Sequence, residues 1–223
     1  TDCVGFSSLM DQNEELTLKN LKFCRSIIDP IINNYKGHIF YTAGDSVIAN
    51  FSSPVNAVNT AIEFQKAIFK RNNSLNNNNK LIWRVGIHLD DVIIEDENIF
   101  GTGVNIAARL ESACYPGQIL ISTAVKDQIQ NKIILPIEDA GTKVLKNISD
   151  AYQTYGISPS GDQIHKTNAA EYREKIEKRD YKPKIAVMPF SNTKVDEASF
   201  LVDGIVEDLI TEFSMIKEIE ILS

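Results

Sequence analysis

The sequence predicts an α+β domain built on a mixed, mainly antiparallel sheet. Two observations carry that expectation. Short runs of β-formers alternate with amphipathic helical segments along the first 157 residues. One pair of those runs, Ile39–Thr42 and Ser46–Phe51, is separated only by Ala43-Gly44-Asp45, a spacing that demands an antiparallel hairpin and excludes a purely parallel stack. The composition, 43% hydrophobic and 24% charged, supports a buried core, and we expect helices to cover one face of the sheet.

The elements follow in order. Asp2 closes a strand and leads into the Gly-containing turn Val4-Gly5-Phe6-Ser7, whose backbone amides can face an anion. Asp11-Gln12-Asn13-Glu14 supplies helix-starting chemistry, and Leu18, Leu21, Ile27, Ile28, Ile31 and Ile32 recur at helical spacing. Pro30 falls inside that pattern and predicts a kink or break near Asp29, with Gly37 ending the helix. The hairpin comes next, with Asp45 at its turn. Pro54 then starts a helix carrying Val58, Ala61, Ile62, Gln65 and Ile68, which runs to the polar loop Asn76–Asn79. Leu81–His88 and Val92–Ile94 read as buried strands, Val104–Ser112 as a helix, Gln118–Ser122 as a strand and Thr123–Ile129 as a helix. Residues 158–183 turn polar and charged and read as a linker. A second unit is expected from Lys184, with a strand over Ile185–Phe190 and a helix over Phe200–Ile216.

Bulk properties limit the function classes. A net charge of −7 argues against an electrostatic nucleic-acid binder. Cys3, Cys24 and Cys114 lack metal-site or disulfide-framework spacing, which predicts core thiols in a reducing, cytoplasmic compartment. The longest apolar runs fall far short of the roughly 20 residues of a membrane span. The absent initiator Met and the apolar run beginning at Ile221 predict a piece of a longer protein.

Four separated segments carry a resemblance. Asp2-Cys3-Val4-Gly5-Phe6-Ser7, Thr42-Ala43-Gly44-Asp45, Arg84-Val85-Gly86-Ile87-His88 with Gly101-Thr102-Gly103-Val104-Asn105-Ile106-Ala107-Ala108-Arg109, and Leu145-Lys146-Asn147-Ile148 appear in order. Together they resemble the catalytic domain of class III adenylate and guanylate cyclases over residues 1–157. The resemblance implies a ferredoxin-like βαββαβ core whose first strand begins upstream of Thr1, and a homodimer with shared active sites. It also implies conversion of a nucleoside triphosphate to a 3′,5′-cyclic nucleotide for signalling.

By the same resemblance, Asp2 and Asp45 hold two divalent cations, Mg²⁺ or Mn²⁺, with the Cys3 carbonyl as a further ligand. Val4, Gly5, Phe6, Ser7 and Lys146 bind the triphosphate. Asn105 orients the ribose and Arg109 stabilises charge at the α-phosphate, both supplied by the partner subunit. Asn105 and Arg109 lie four apart, so one helix face presents both. Arg84 and His88 are read as structural.

Tyr41 and Asn98 depart from the pattern, since adenylate cyclases carry Lys and Asp at these base-reading positions. Guanine-reading enzymes carry Glu and Cys or Ser there. The Asn98 amide offers a donor beside an acceptor, matching the edge of uracil or cytosine, and some pyrimidine cyclases of anti-phage defence are similar in having Tyr at the first position. An adenylate cyclase with tolerated changes and a pyrimidine cyclase both stay open, as does a catalytically silent nucleotide-sensing or dimerisation module. Asp90 stands where Gly is common. From Lys184 the chain resembles the opening of a TolB-like domain.

Overall fold

Three residues at the start of the chain set the frame for the rest. β1 (Asp2–Cys3) pairs antiparallel with β4 (Trp83–Ile87), Asp2 opposite Arg84 and Cys3 opposite Trp83. On its other side, Thr1 exchanges backbone hydrogen bonds of 2.8 and 2.9 Å with Val47, tying on the hairpin formed by β2 (His38–Ile39) and β3 (Ala49–Asn50). The computed structural model describes residues 1–40, 44–75, 80–96, 98–144 and 151–161, together with the backbone of two short strands at 184–186 and 220–222.

The main sheet has the order β1-β4-β7-β9-β8, with β7 at Ile119–Ser122, β8 at Glu138–Val144 and β9 at Ala151–Ile157. Only β4 and β7 run parallel; the other pairs are antiparallel, so the sheet is mixed and mainly antiparallel as expected. The β8–β9 pair had no clear period-2 signal and was not foreseen in the sequence.

Helices cover both faces, which corrects the expectation of one. Ile119 and Ile121 point into a large core formed with α2 (Glu14–Asn34), α3 (Pro54–Asn73) and α5 (Thr123–Ile129). Leu120, between them, points the other way and packs with Ile106 and Leu110 of α4 (Thr102–Ala113). Trp83 is fully buried in the larger core.

Four local expectations are also corrected. Pro30 does not break α2, which runs unbroken to Asn34. Ile28 and Ile32 are buried on either side of it, and a two-point Arg25–Asp29 ion pair at 2.8 and 3.1 Å braces the preceding turn. The capping residue is Asn13, whose side chain accepts from the Leu16 amide. Val92–Ile94 is exposed rather than buried, because β5 (Ile93–Glu95) pairs only with β6 (Asn98–Phe100) in a two-stranded ribbon outside the main sheet. The short helix α1 (Phe6–Gln12) also lies where only a turn was expected.

Contacts divide the chain after Arg173. In the second unit, β10 (Lys184–Ala186) and β11 (Glu220–Leu222) pair in parallel. The linker beyond Gly161 and the expected helix over 200–216 lie outside the described residues.

The contact between α4 and β4 depends on Gly86. A Cβ there would collide with the Glu111 amide nitrogen and the Ala107 carbonyl oxygen, both backbone atoms that cannot rotate away. Gly86→Ala is therefore expected to lower stability by about 3 kcal/mol, the upper range for overpacking, read as a shift in the urea midpoint. An unchanged midpoint would show that α4 does not sit so close.

Candidate active site

The site grows from the β1–β4 pairing. Asp2 lies directly across from Arg84, and its Oδ2 accepts from Arg84 Nη2 at 3.0 Å. Its Oδ1 accepts from Ser46 Oγ at 2.7 Å. Asp45 sits in the hairpin turn beside Gly44, which adopts φ 61°, a left-handed conformation that Gly adopts without strain. Asp45 Oδ2 accepts from the Cys3 amide at 3.0 Å. The structure thus brings Asp2, Cys3 and Asp45 together, and adds Ser46, which was not singled out from the sequence.

Burial, and then the negative charge of Asp2, push the Asp45 carboxyl up from 3.8 to about 6. Positive charge beside Asp2 comes from Arg84 and the Thr1 ammonium. Arg84 is 5% exposed, and the same Nη2 that meets Asp2 lies 2.8 Å from Glu111 Oε1 on α4. One guanidinium therefore faces two carboxylates, while Asp45 accepts from the backbone amides of Cys3 and of Asp45 itself. Among the described residues no group of three or more His, Cys, Asp or Glu forms a closed metal cage. Two hard carboxylates fit a Mg²⁺ or Mn²⁺ ion whose other ligands would be water, carbonyl and phosphate oxygens.

Behind Asp2 the chain turns at Gly5, with φ 68° and ψ 24°, into α1. The Val4 amide donates to the Ile82 carbonyl at 2.8 Å. The amides of Phe6 and Ser7 open the first helical turn, where intrahelical acceptors are lacking. The cysteines are free and buried. His88 Nδ1 is 2.9 Å from Ser122 Oγ, consistent with a structural role.

Asn105 and Arg109 share the outer face of α4, Asn105 exposed and Arg109 half-buried, while Gly103, Ile106 and Leu110 face inward. Among the described residues no hydrogen bond or ion pair links either of them to Asp2 or Asp45. Asn98 is exposed at the start of β6. Tyr41 and Lys146 lie outside the described residues. The residue that sequence reasoning undervalued is Arg84: an arginine on a buried strand requires an anionic partner, and that requirement could have linked it to Asp2.

Residues 1–158 match the family model described as the adenylate and guanylate cyclase catalytic domain. A putative adenylate cyclase 3 of Rhizobium meliloti is 33% identical over 224 residues, covering 100% of this chain and 38% of that protein. The chain therefore spans well under half of that curated relative. An adenylate/guanylate cyclase/hydrolase structure from Silicibacter pomeroyi superposes with a TM-score of 0.65 at 34% identity, covering 72% of this chain and 94% of that one. The adenylyl cyclase CyaB structure from P. aeruginosa gives a TM-score of 0.60 at 25% identity, covering 75% and 93%.

The raised Asp45 carboxyl sets a pH test. A carboxyl held above its ordinary value destabilises the fold when ionised, so the cost is full above about 6 and gone below 3.8. A shift of this size corresponds to about 3 kcal/mol for a fully buried group; with Asp45 half in solvent, about 1 kcal/mol is expected. In EDTA, Asp45→Asn should stabilise the protein by about 1 kcal/mol at pH 8 and lose that advantage near pH 4, measured by urea unfolding. No gain at pH 8 would show that the ionised Asp45 carries no such cost in the fold.

Proposed function

Because this chain belongs to the family of adenylate and guanylate cyclase catalytic domains, we propose that it is a nucleotide cyclase using a carboxylate-held pair of divalent cations. The reaction joins the ribose 3′-oxygen to the α-phosphorus, breaks the bond from that phosphorus to the bridging oxygen, and releases pyrophosphate. The 3′-hydroxyl proton leaves to solvent or to the product phosphate. The observation that carries this reading is the closeness of two carboxylates, Asp45 accepting from the Cys3 amide next to Asp2 and its carboxyl pushed up to about 6 by burial and by the charge of Asp2.

Asp2, Asp45 and the Cys3 carbonyl would hold Mg²⁺ or Mn²⁺, which when bound lowers the cost of negative charge on the attacking and leaving oxygens. The amides of Gly5, Phe6 and Ser7, with Lys146, bind the triphosphate. Asn105 fixes the ribose so that the 3′-oxygen lies in line with the α-phosphorus. Arg109 places a guanidinium against the charge that develops there.

Two features support an active homodimer with shared sites. Asn105 and Arg109 face outward without a link to the carboxylate pair of their own chain. The β5–β6 ribbon with Leu89 exposes Val92, Ile93, Ile94 and Phe100, apolar surface that a partner would cover. Dimerisation would bring the outer face of α4 to the partner's carboxylates.

ATP is the first reading of the substrate, supported by the adenylate cyclase names of the similar proteins. The exposed Asn98 amide favours a second reading, UTP or CTP. Segment 184–223 is proposed as the start of a TolB-like domain after the linker 158–183; the Rhizobium match, which runs the length of the chain, supports their association.

With Mn²⁺ and equal ATP, GTP, CTP and UTP, cyclic AMP should exceed the other products at least about tenfold, a margin one well-read base edge supplies. Dominant cyclic UMP or CMP would establish the pyrimidine reading instead. Asp2→Ala and Arg109→Ala should each lower kcat at least about a hundredfold. Mixed in equal amounts, the two variants should recover about a quarter of the activity, since random pairing gives half the dimers one intact site. A silent module would turn over none of the four nucleotides in any of these proteins.

A further inference from the structure

The Arg84 side chain joins two parts of the molecule that the proposed reaction uses separately. β1 carries Asp2, and α4 carries Asn105 and Arg109. Arg84 Nη2 stands between them, 3.0 Å from Asp2 Oδ2 and 2.8 Å from Glu111 Oε1, while Nη1 donates to the Ser112 carbonyl at 3.4 Å. The guanidinium side chain is 6% exposed, that of Glu111 13% and that of Asp2 24%. At this burial the two carboxylates look to Arg84, with the Thr1 ammonium close to both, rather than to water.

We propose that Arg84 is a positioning residue that transmits cation binding at Asp2 to helix α4, an inference that rests on the cyclase reading of the carboxylate pair. When a divalent cation satisfies Asp2, the carboxylate needs Arg84 less, and the guanidinium shifts its hydrogen bonding to Glu111. That shift fixes the last turn of α4 in its place against β4, with which it is already in close contact at Gly86.

The Glu111 side chain has space to turn. Glu111 borders a cavity of about 320 Å³ that is also lined by Thr1, Ser46, Val85 and Ala107, so a change of partner need not displace packed atoms. In a dimer with shared sites, the α4 of each chain serves the site opposite its own carboxylates. Loading one carboxylate pair would thus tighten the helix presented to the other site, a positive coupling between the two.

The test uses the whole chain without nucleotide. Mg²⁺ affinity is measured by calorimetry, and amide exchange across Leu110–Ala113 is followed with and without saturating Mg²⁺. In the wild type, Mg²⁺ should slow exchange in that turn at least about threefold. Arg84→Lys keeps the charge but loses the rigid two-partner fork; it should still bind Mg²⁺ and show no slowing. Glu111→Gln, which leaves Arg84 in place, should also abolish the slowing and covers the case in which Arg84→Lys does not fold. Slowing that persists in both variants, or wild-type exchange indifferent to bound Mg²⁺, would overturn the relay while leaving the cyclase reading intact. Failure of the wild type to bind Mg²⁺ at all would sink both.

Discussion

A single buried guanidinium between β1 and α4 organises this domain. Arg84 is directly opposite Asp2 in the β1–β4 ladder and reaches Glu111 on the helix covering that face. β1 contributes only two residues to the sheet, and its hold comes from Trp83 and Arg84 on one side and from Val47, through Thr1, on the other. A buried charge with partners on two elements cannot be relieved by moving one of them. Removing one member of such a network leaves the others uncompensated, typically at a cost of about 3–5 kcal/mol. The network thus sets the position of Asp2 more strictly than the short strand could alone.

The rest of the site is held mainly by backbone. Asp45 is placed by a tight turn and by the Cys3 amide, and Gly5 turns the chain so that the first amides of α1 follow directly on Asp2. The cost of this arrangement falls on Asp45, whose ionised form is disfavoured by burial and by Asp2. Such a conflict within the folded chain is characteristic of groups retained for a ligand of opposite charge.

The parts of the molecule with strong local signals were legible in the sequence. The hairpin with Asp45 at its turn, the helix starting at Pro54, and the shared face of Asn105 and Arg109 all follow from turn chemistry and helical spacing. What local pattern could not show was tertiary context. Val92–Ile94 has the composition of a buried strand, yet among the described residues its only ladder partner is β6, and its apolar side chains are exposed. Pro30 carries a breaking signal that the burial of Ile28 and Ile32 overrides. The engagement of the Val4 amide, and the joining of Arg84 to both Asp2 and Glu111, depend on contacts between residues far apart in sequence.

The central claim is that Asp2 and Asp45 form a cation site completed by the triphosphate. Its most direct test is a Mn²⁺ titration followed by electron paramagnetic resonance, with a 3′-deoxy nucleoside triphosphate that binds without cyclising. The account predicts two bound Mn²⁺ per active site, both lost in Asp2→Asn and Asp45→Asn. Two ions retained in those variants, or a nucleotide that binds with no protein-held Mn²⁺, would contradict it.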